Sequence, residues 1–167
     1  CKELLEEFKT DLKVFGEVPI YEQKFSIKFP RILAQIIGDF YEIKCGAYDS
    51  YISKRIFQIP KRNLYFGIRA FADDEATVYS HSIRITSANV RLLEGIKKIL
   101  SFLKIKSNEI KSQFNPRAKY GKVYYLDVRD LESYVKYIGF THPKKKALLE
   151  KYVKKIKSIR RKRLLNT

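Results

Sequence analysis

Three consecutive acids, Asp73-Asp74-Glu75, close an apolar run rich in small residues: Leu64, Phe66, Gly67, Ile68, Ala70, Phe71 and Ala72. Carboxylate oxygens are the ligands that hard divalent cations prefer, so metal-assisted chemistry has a place to sit here. Taken alone, the triplet reads equally as a solvated acidic turn behind a buried helix. Other coordinating residues are sparse. Cys1, Cys45, His81 and His142 do not fall at metal-ligand spacing, and two cysteines are too few for a disulfide framework or a structural zinc site. Such cysteine usage points to a reducing, intracellular compartment.

The charge balance names a class of partner. Lys and Arg total 35 against 18 acids, a net of +17 over 167 residues. An excess of this size binds a polyanion without regard to sequence, because each neutralised phosphate releases condensed counterions. An anionic membrane surface or a Lys-rich, thermophilic archaeal-like surface accounts for the same excess. No stretch has the roughly 18 apolar residues that a membrane span needs. The start, Cys1-Lys2-Glu3-Leu4-Leu5-Glu6-Glu7, is charged and helical in pattern rather than a signal peptide. Between Lys144 and Arg163 lie eleven basic residues, suited to phosphate contacts or to a solvated helix end.

The spacing of apolar residues predicts the elements that must position these groups. Leu4, Leu5, Phe8, Leu12 and Phe15 predict a helix over 3–15, stopped by Gly16. Alternation predicts a strand from Tyr21 to Phe29, and Ile32–Phe40 reads as a helix. Residues 41–63 read as a polar, basic connection. A helix over 64–74 follows, then strands near 76–80 and 82–87, a helix over 89–103, and strands over 108–115 and 121–128. A helix over 130–138 stops at Gly139, and a last helix starts near 143 and runs into a basic tail from 157.

The two halves resemble each other. Leu4-Leu5-Glu6-Glu7-Phe8 matches Leu92-Leu93-Glu94-Gly95-Ile96, with Leu12 on Leu100 and Phe15 on Leu103. Tyr21–Lys28 matches Lys122–Arg129, and Ile37-Gly38-Asp39-Phe40 matches Tyr137-Ile138-Gly139-Phe140. The helix and hairpin at 64–87 have no upstream counterpart, which predicts a first unit truncated at its N-terminus. Chance likeness between two amphipathic helix–strand–helix stretches is the alternative.

Ile68-Arg69-Ala70-Phe71-Ala72-Asp73-Asp74-Glu75-Ala76 resembles the nine-residue LAGLIDADG motif of homing endonucleases. Ile83–Asn89 with the helix after it, and Tyr134–Tyr152 with Ile138-Gly139-Phe140-Thr141-His142-Pro143-Lys144-Lys145-Lys146, are similar to the family's following segments. The resemblance implies an α+β fold, a LAGLIDADG saddle of αββαββα units with antiparallel sheets. It divides the chain into a truncated first unit (1–40), a linker (41–63), a complete unit (64–156) and a basic tail (157–167). It further implies a site-specific endonuclease of double-stranded DNA. Two such helices pack side by side through small residues, here Gly67, Ala70 and Ala76, and bring one acid from each unit to a shared Mg²⁺, with Mn²⁺ as a substitute. Glu75 stands at the metal-binding acid and Asp73 at an earlier acid that is more often structural. The second motif then comes from upstream residues or a partner chain. Ala76 stands where the motif ends in Gly, which predicts an altered turn.

In the family the strands' concave face enters the major groove. Alternation then turns Phe25, Ile27, Ile83, Ile85, Phe114, Leu126 and Val128 to the core. It turns Lys24, Ser26, Lys28, Ser82, Arg84, Thr86, Lys111, Gln113, Asn115 and Tyr125 to the groove, where Arg and Lys read guanine and Gln and Asn read adenine. The turn carrying Arg117, Lys119 and Lys122 reaches outward to DNA, and Lys28 and Arg129 are the expected basic residues beside the scissile phosphate. Three alternatives stand beside this one: a non-cutting DNA- or RNA-binding relative serving as regulator or splicing maturase, the endonuclease part of an intein, and a membrane-surface protein.

Overall fold

The structure, a computed structural model, describes residues 50–165 and, before them, positions 6, 10, 13, 20, 21, 26, 27 and 39. The chain divides into two units, Cys1–Ile43 and Lys44–Thr167.

In the first unit, Glu6, Thr10 and Asp39 are helical, as the spacing predicts, and the Thr10 hydroxyl donates to the Glu6 carbonyl at 2.9 Å. Strand β1 (Ile20–Tyr21) pairs antiparallel with β2 (Ser26–Ile27), Ile20 opposite Ile27 and Tyr21 opposite Ser26. Within the run read as one strand over 21–29, Tyr21 and Ser26 therefore belong to two paired strands. Ser26 and Ile27 are placed by backbone pairing only. Lys24, Phe25 and Lys28 lie outside the described residues.

In the second unit a short 3₁₀ turn (Lys54–Gln58) precedes α1 (Lys61–Glu75), β3 (Ala76–Val78) and β4 (Ile83–Ser87). Then come α2 (Val90–Phe102), β5 (Lys111–Phe114), β6 (Lys122–Val128), α3 (Leu131–Tyr137) and α4 (Pro143–Leu165). The order from α1 to α3 is the expected αββαββα. The four strands form one antiparallel sheet in the order β3-β4-β6-β5. Among the described residues no helix is long and apolar enough to cross a membrane.

Local chemistry explains the boundaries. Asn89 accepts from the Leu92 amide at 3.2 Å and starts α2, while Asp130 accepts from the Ser133 amide at 3.1 Å and starts α3. Gly139, at φ +65°, ends α3 in a left-handed turn that its lack of a Cβ permits. Ala76 sits at φ −102°, ψ 148°, an extended conformation open to any residue. With that conformation α1 runs straight into β3.

One face of the sheet makes the core. Ile83, Ile85, Leu126 and Val128 are buried as expected, against Leu93, Ile96, Ile99 and Leu100 of α2. Each such side chain contributes about 1.5–3 kcal/mol. Phe114 departs from its core assignment: it is 80 % exposed, because β5 is an edge strand lying past the cover of the helices, and its ring packs over Gly121. Residues 50–59, read as connection, instead supply Ile52, Ile56, Phe57 and Ile59 to the margin of this core. The segment read as a tail from 157 continues α4 as far as Leu165.

The packing of Ile52 gives a test. A Cβ on Gly95 would lie 2.7 Å from the Ile52 Cβ. Gly95→Ala is expected to cost about 1–3 kcal/mol through overpacking, read as a lower urea midpoint with an unchanged slope. An unchanged midpoint would show that the 50–59 segment is not held against α2.

Candidate active site and nucleic-acid interface

Helix α1 has two unlike faces. Leu64, Ile68 and Ala72, at i, i+4 and i+8, are buried in the core. Phe66, Gly67, Ala70 and Asp74 are exposed on the outer side, Phe66 at 57 %, and a Cβ placed on Gly67 would meet nothing within 4 Å. The small residues that a closely packed second helix requires thus face outward. Ala76 does not join them: it is buried in β3 opposite Ile85. Glu75 ends the helix, exposed, next to exposed Asp74.

The end of α1 is fastened to the start of α4. Asp73 is only 4 % exposed, and its two carboxylate oxygens accept from the Thr141 and His142 amides, each at 3.1 Å. A carboxylate at a helix N-terminus satisfies unpaired amides and the positive end of the helix dipole. Asp73 thus ties the end of α1 to the residues that start α4. In return, the Lys145 ammonium donates to the Ala72 carbonyl at 3.2 Å and to the Asp73 carbonyl, at the negative end of α1. Burial pulls the Lys145 pKa below the usual lysine value, while Asp73, Asp74 and Glu75 push it back up. Tyr134, fully buried nearby, has its hydroxyl pKa raised, first by burial and then by the Asp73 charge.

Lys145 is the residue at this acidic helix end that the sequence reading did not single out. Its signal was visible. A lysine in the first turn of a helix opposes the dipole of that helix, so Pro143-Lys144-Lys145-Lys146 calls for a negative neighbour. Arg129, expected beside a scissile phosphate, is exposed just past β6, its amide donating to the Lys106 carbonyl.

The sheet face away from the core carries five of the seven expected groove residues that lie in the second unit. The register puts Thr77 beside Arg84, Arg84 beside Asp127, Thr86 beside Tyr125, Tyr125 beside Lys111 and Val123 beside Gln113. Arg84, Thr86 and Tyr125 are half-buried, while Lys111 and Gln113 are exposed. Ser82 does not join this face: at 2 % exposure it is enclosed in the β3–β4 turn, where its carbonyl accepts from the Tyr79 amide. Asn115 folds over its own turn, accepting from the Arg117 amide at 3.0 Å. Arg117 and Lys119 project from this turn, exposed. Lys122 falls on the other face with Tyr124, its ammonium 5.6 Å from that ring centre, because residues two apart on a strand share a side. Alternation extends the open face to Thr77, Val123 and Asp127.

This arrangement of αββαββα on one antiparallel four-stranded sheet is the LAGLIDADG-type fold. Among solved structures the chain is similar to the crystal structure of I-DmoI in complex with DNA and Ca. The TM-score is 0.55 at 18 % identity, over 89 % of this chain and 73 % of that one. No family model and no curated protein matches the sequence.

Proposed function

We propose that this chain is a site-specific endonuclease of double-stranded DNA, of the homing endonuclease kind, working with Mg²⁺ or Mn²⁺. The observation that carries the reading is the placement of Glu75, exposed at the end of a helix whose outer side carries Gly67 and Ala70, exposed among the described residues. The I-DmoI structure was solved with DNA and Ca, which supports a duplex and a divalent ion at such a fold.

The residues fit one half of a metal site. Mg²⁺ is commonly held by one or two carboxylates, with water and phosphate oxygens completing its shell. Glu75 supplies one carboxylate, with Asp74 beside it. Among the described residues no group of three or more His, Cys, Asp or Glu is gathered to hold a metal, so a matching acid must come from a second motif. When bound, the ion stabilises charge on the phosphorane and lowers the pKa of an attacking water. Asp73 holds the helix end in place, and Lys145 keeps a positive charge beside the acids. The open sheet face, with Arg84, Thr86, Lys111, Gln113 and Tyr125, meets base edges, while exposed lysines and arginines meet phosphates.

The incomplete set of acids favours a second reading, a nucleic-acid-binding protein of the same fold that does not cut. One experiment separates the two. The full chain is mixed with a random duplex library at stepped salt concentrations, with Mg²⁺, Mn²⁺ or EDTA. Binding should weaken steeply with salt, with a log–log slope of roughly −0.9 per phosphate neutralised, and strand breaks should appear only with metal. Binding without breaks under any metal would select the second reading, and no binding at all would remove both.

A further inference from the structure

We propose that Arg84 is the guanine-reading residue of the open sheet face and that Asp127 holds it in reading position. The inference rests on that face meeting a duplex. Arg84 on β4 lies directly across from Asp127 on β6. Its Nε donates to one carboxylate oxygen of Asp127 at 2.8 Å and its Nη2 to the other at 3.1 Å. The guanidinium also lies over the Tyr125 ring, 4.0 Å from its centre, and beside the Tyr79 ring at 5.5 Å.

A guanidinium has five N–H donors in a fixed plane. Asp127 takes the side-on pair, Nε–H and one Nη2–H. The other Nη2–H and the nearer Nη1–H remain, parallel and in the same plane, and make the fork that fits guanine O6 and N7. The Arg84 side chain keeps 30 % exposure against 13 % for Asp127, so the arginine is the more accessible partner. Two rings and a carboxylate fix a side chain that otherwise loses rotamer freedom on binding.

The carboxylate has a second effect. Asp127 cancels the Arg84 charge locally and weakens its pull toward phosphates. An arginine on this face without such a partner is freer to turn toward a phosphate. Held by Asp127, it is suited to a base edge.

The test is selection of bound sequences from a random duplex library by the full chain and by Arg84→Lys, Arg84→Gln and Asp127→Asn variants, with folding followed by circular dichroism. The wild-type chain should select guanine at a position that both Arg84 variants lose, by roughly tenfold or more, with other positions kept. Arg84→Lys keeps the charge but not the fork, so charge alone will not restore the preference. Asp127→Asn should weaken the same guanine preference while raising affinity for unselected duplex. If all variants select the wild-type sequence, or lose every position together, Arg84 and Asp127 are only a cross-strand brace and the inference is overturned. If the wild-type chain selects no sequence, the DNA-reading function itself fails and takes this inference with it.

Discussion

Glu75→Gln is expected to slow strand cleavage about a thousandfold while duplex binding stays within a few-fold. The substitution keeps the size and exposure of the side chain at the end of α1 and removes only its charge and its strength as a metal ligand. Loss of a carboxylate from a metal site that stabilises a phosphorane removes several kcal/mol, and about 4 kcal/mol is a thousandfold in rate. Binding should, if anything, tighten, because one negative charge facing the phosphates is gone. Single-turnover cleavage under saturating protein, beside equilibrium binding of the same duplex, measures both. Cutting at the wild-type rate would take Glu75 out of the chemistry.

The largest stability effect is expected at Asp73. Asp73→Ala strands the Thr141 and His142 amides, each now bonded to a buried carboxylate. Hydrogen bonds to a charged acceptor contribute about 1.5–3 kcal/mol each, so a loss near 3 kcal/mol is expected after partial relaxation. That corresponds to about 10 °C in Tm for a unit of this size. Asp73→Asn keeps one acceptor oxygen and should lose roughly half as much. A thermal melt of the two variants decides it, and equal, negligible shifts would mean that the α1–α4 connection is not what holds the helix end.

Much of the second unit is legible in the sequence because its periods are clean. Ile83/Arg84/Ile85/Thr86 alternates over a sheet with one face in the core, and burial follows that alternation. Leu93, Ile96, Ile99 and Leu100 recur at helical spacing and are all buried in α2. Where alternation failed, the cause was a neighbour outside the strand. Phe114 keeps the expected side of the sheet, but at an edge strand past the cover of the helices. Ser82 would have fallen on the open side had the strand begun one residue earlier; instead it is enclosed in a turn. The match of Tyr21–Lys28 to Lys122–Arg129 also slips: β6 is one unbroken strand, while Ile20–Tyr21 and Ser26–Ile27 pair with each other.

The candidate site was legible in part. Glu75 stands out by motif, and it lies exposed at the helix end. Asp127 does not stand out, and the lysine run at 144–146 calls for a negative neighbour without saying which; the partners lie 43 residues from Asp127 and 72 from Lys145. No local period carries such information.

The same separation bears on how the acidic end is assembled. Asp73 is enclosed by amides that lie 68 and 69 residues further along the chain. During synthesis the α1 segment emerges long before those donors exist, and its carboxylate then lacks both amides that enclose it in the finished fold. The helix end reaches its final form only after residues 141–145 have been made and docked, so a ribosome-bound chain that stops short of them carries Glu75 on an unfastened helix.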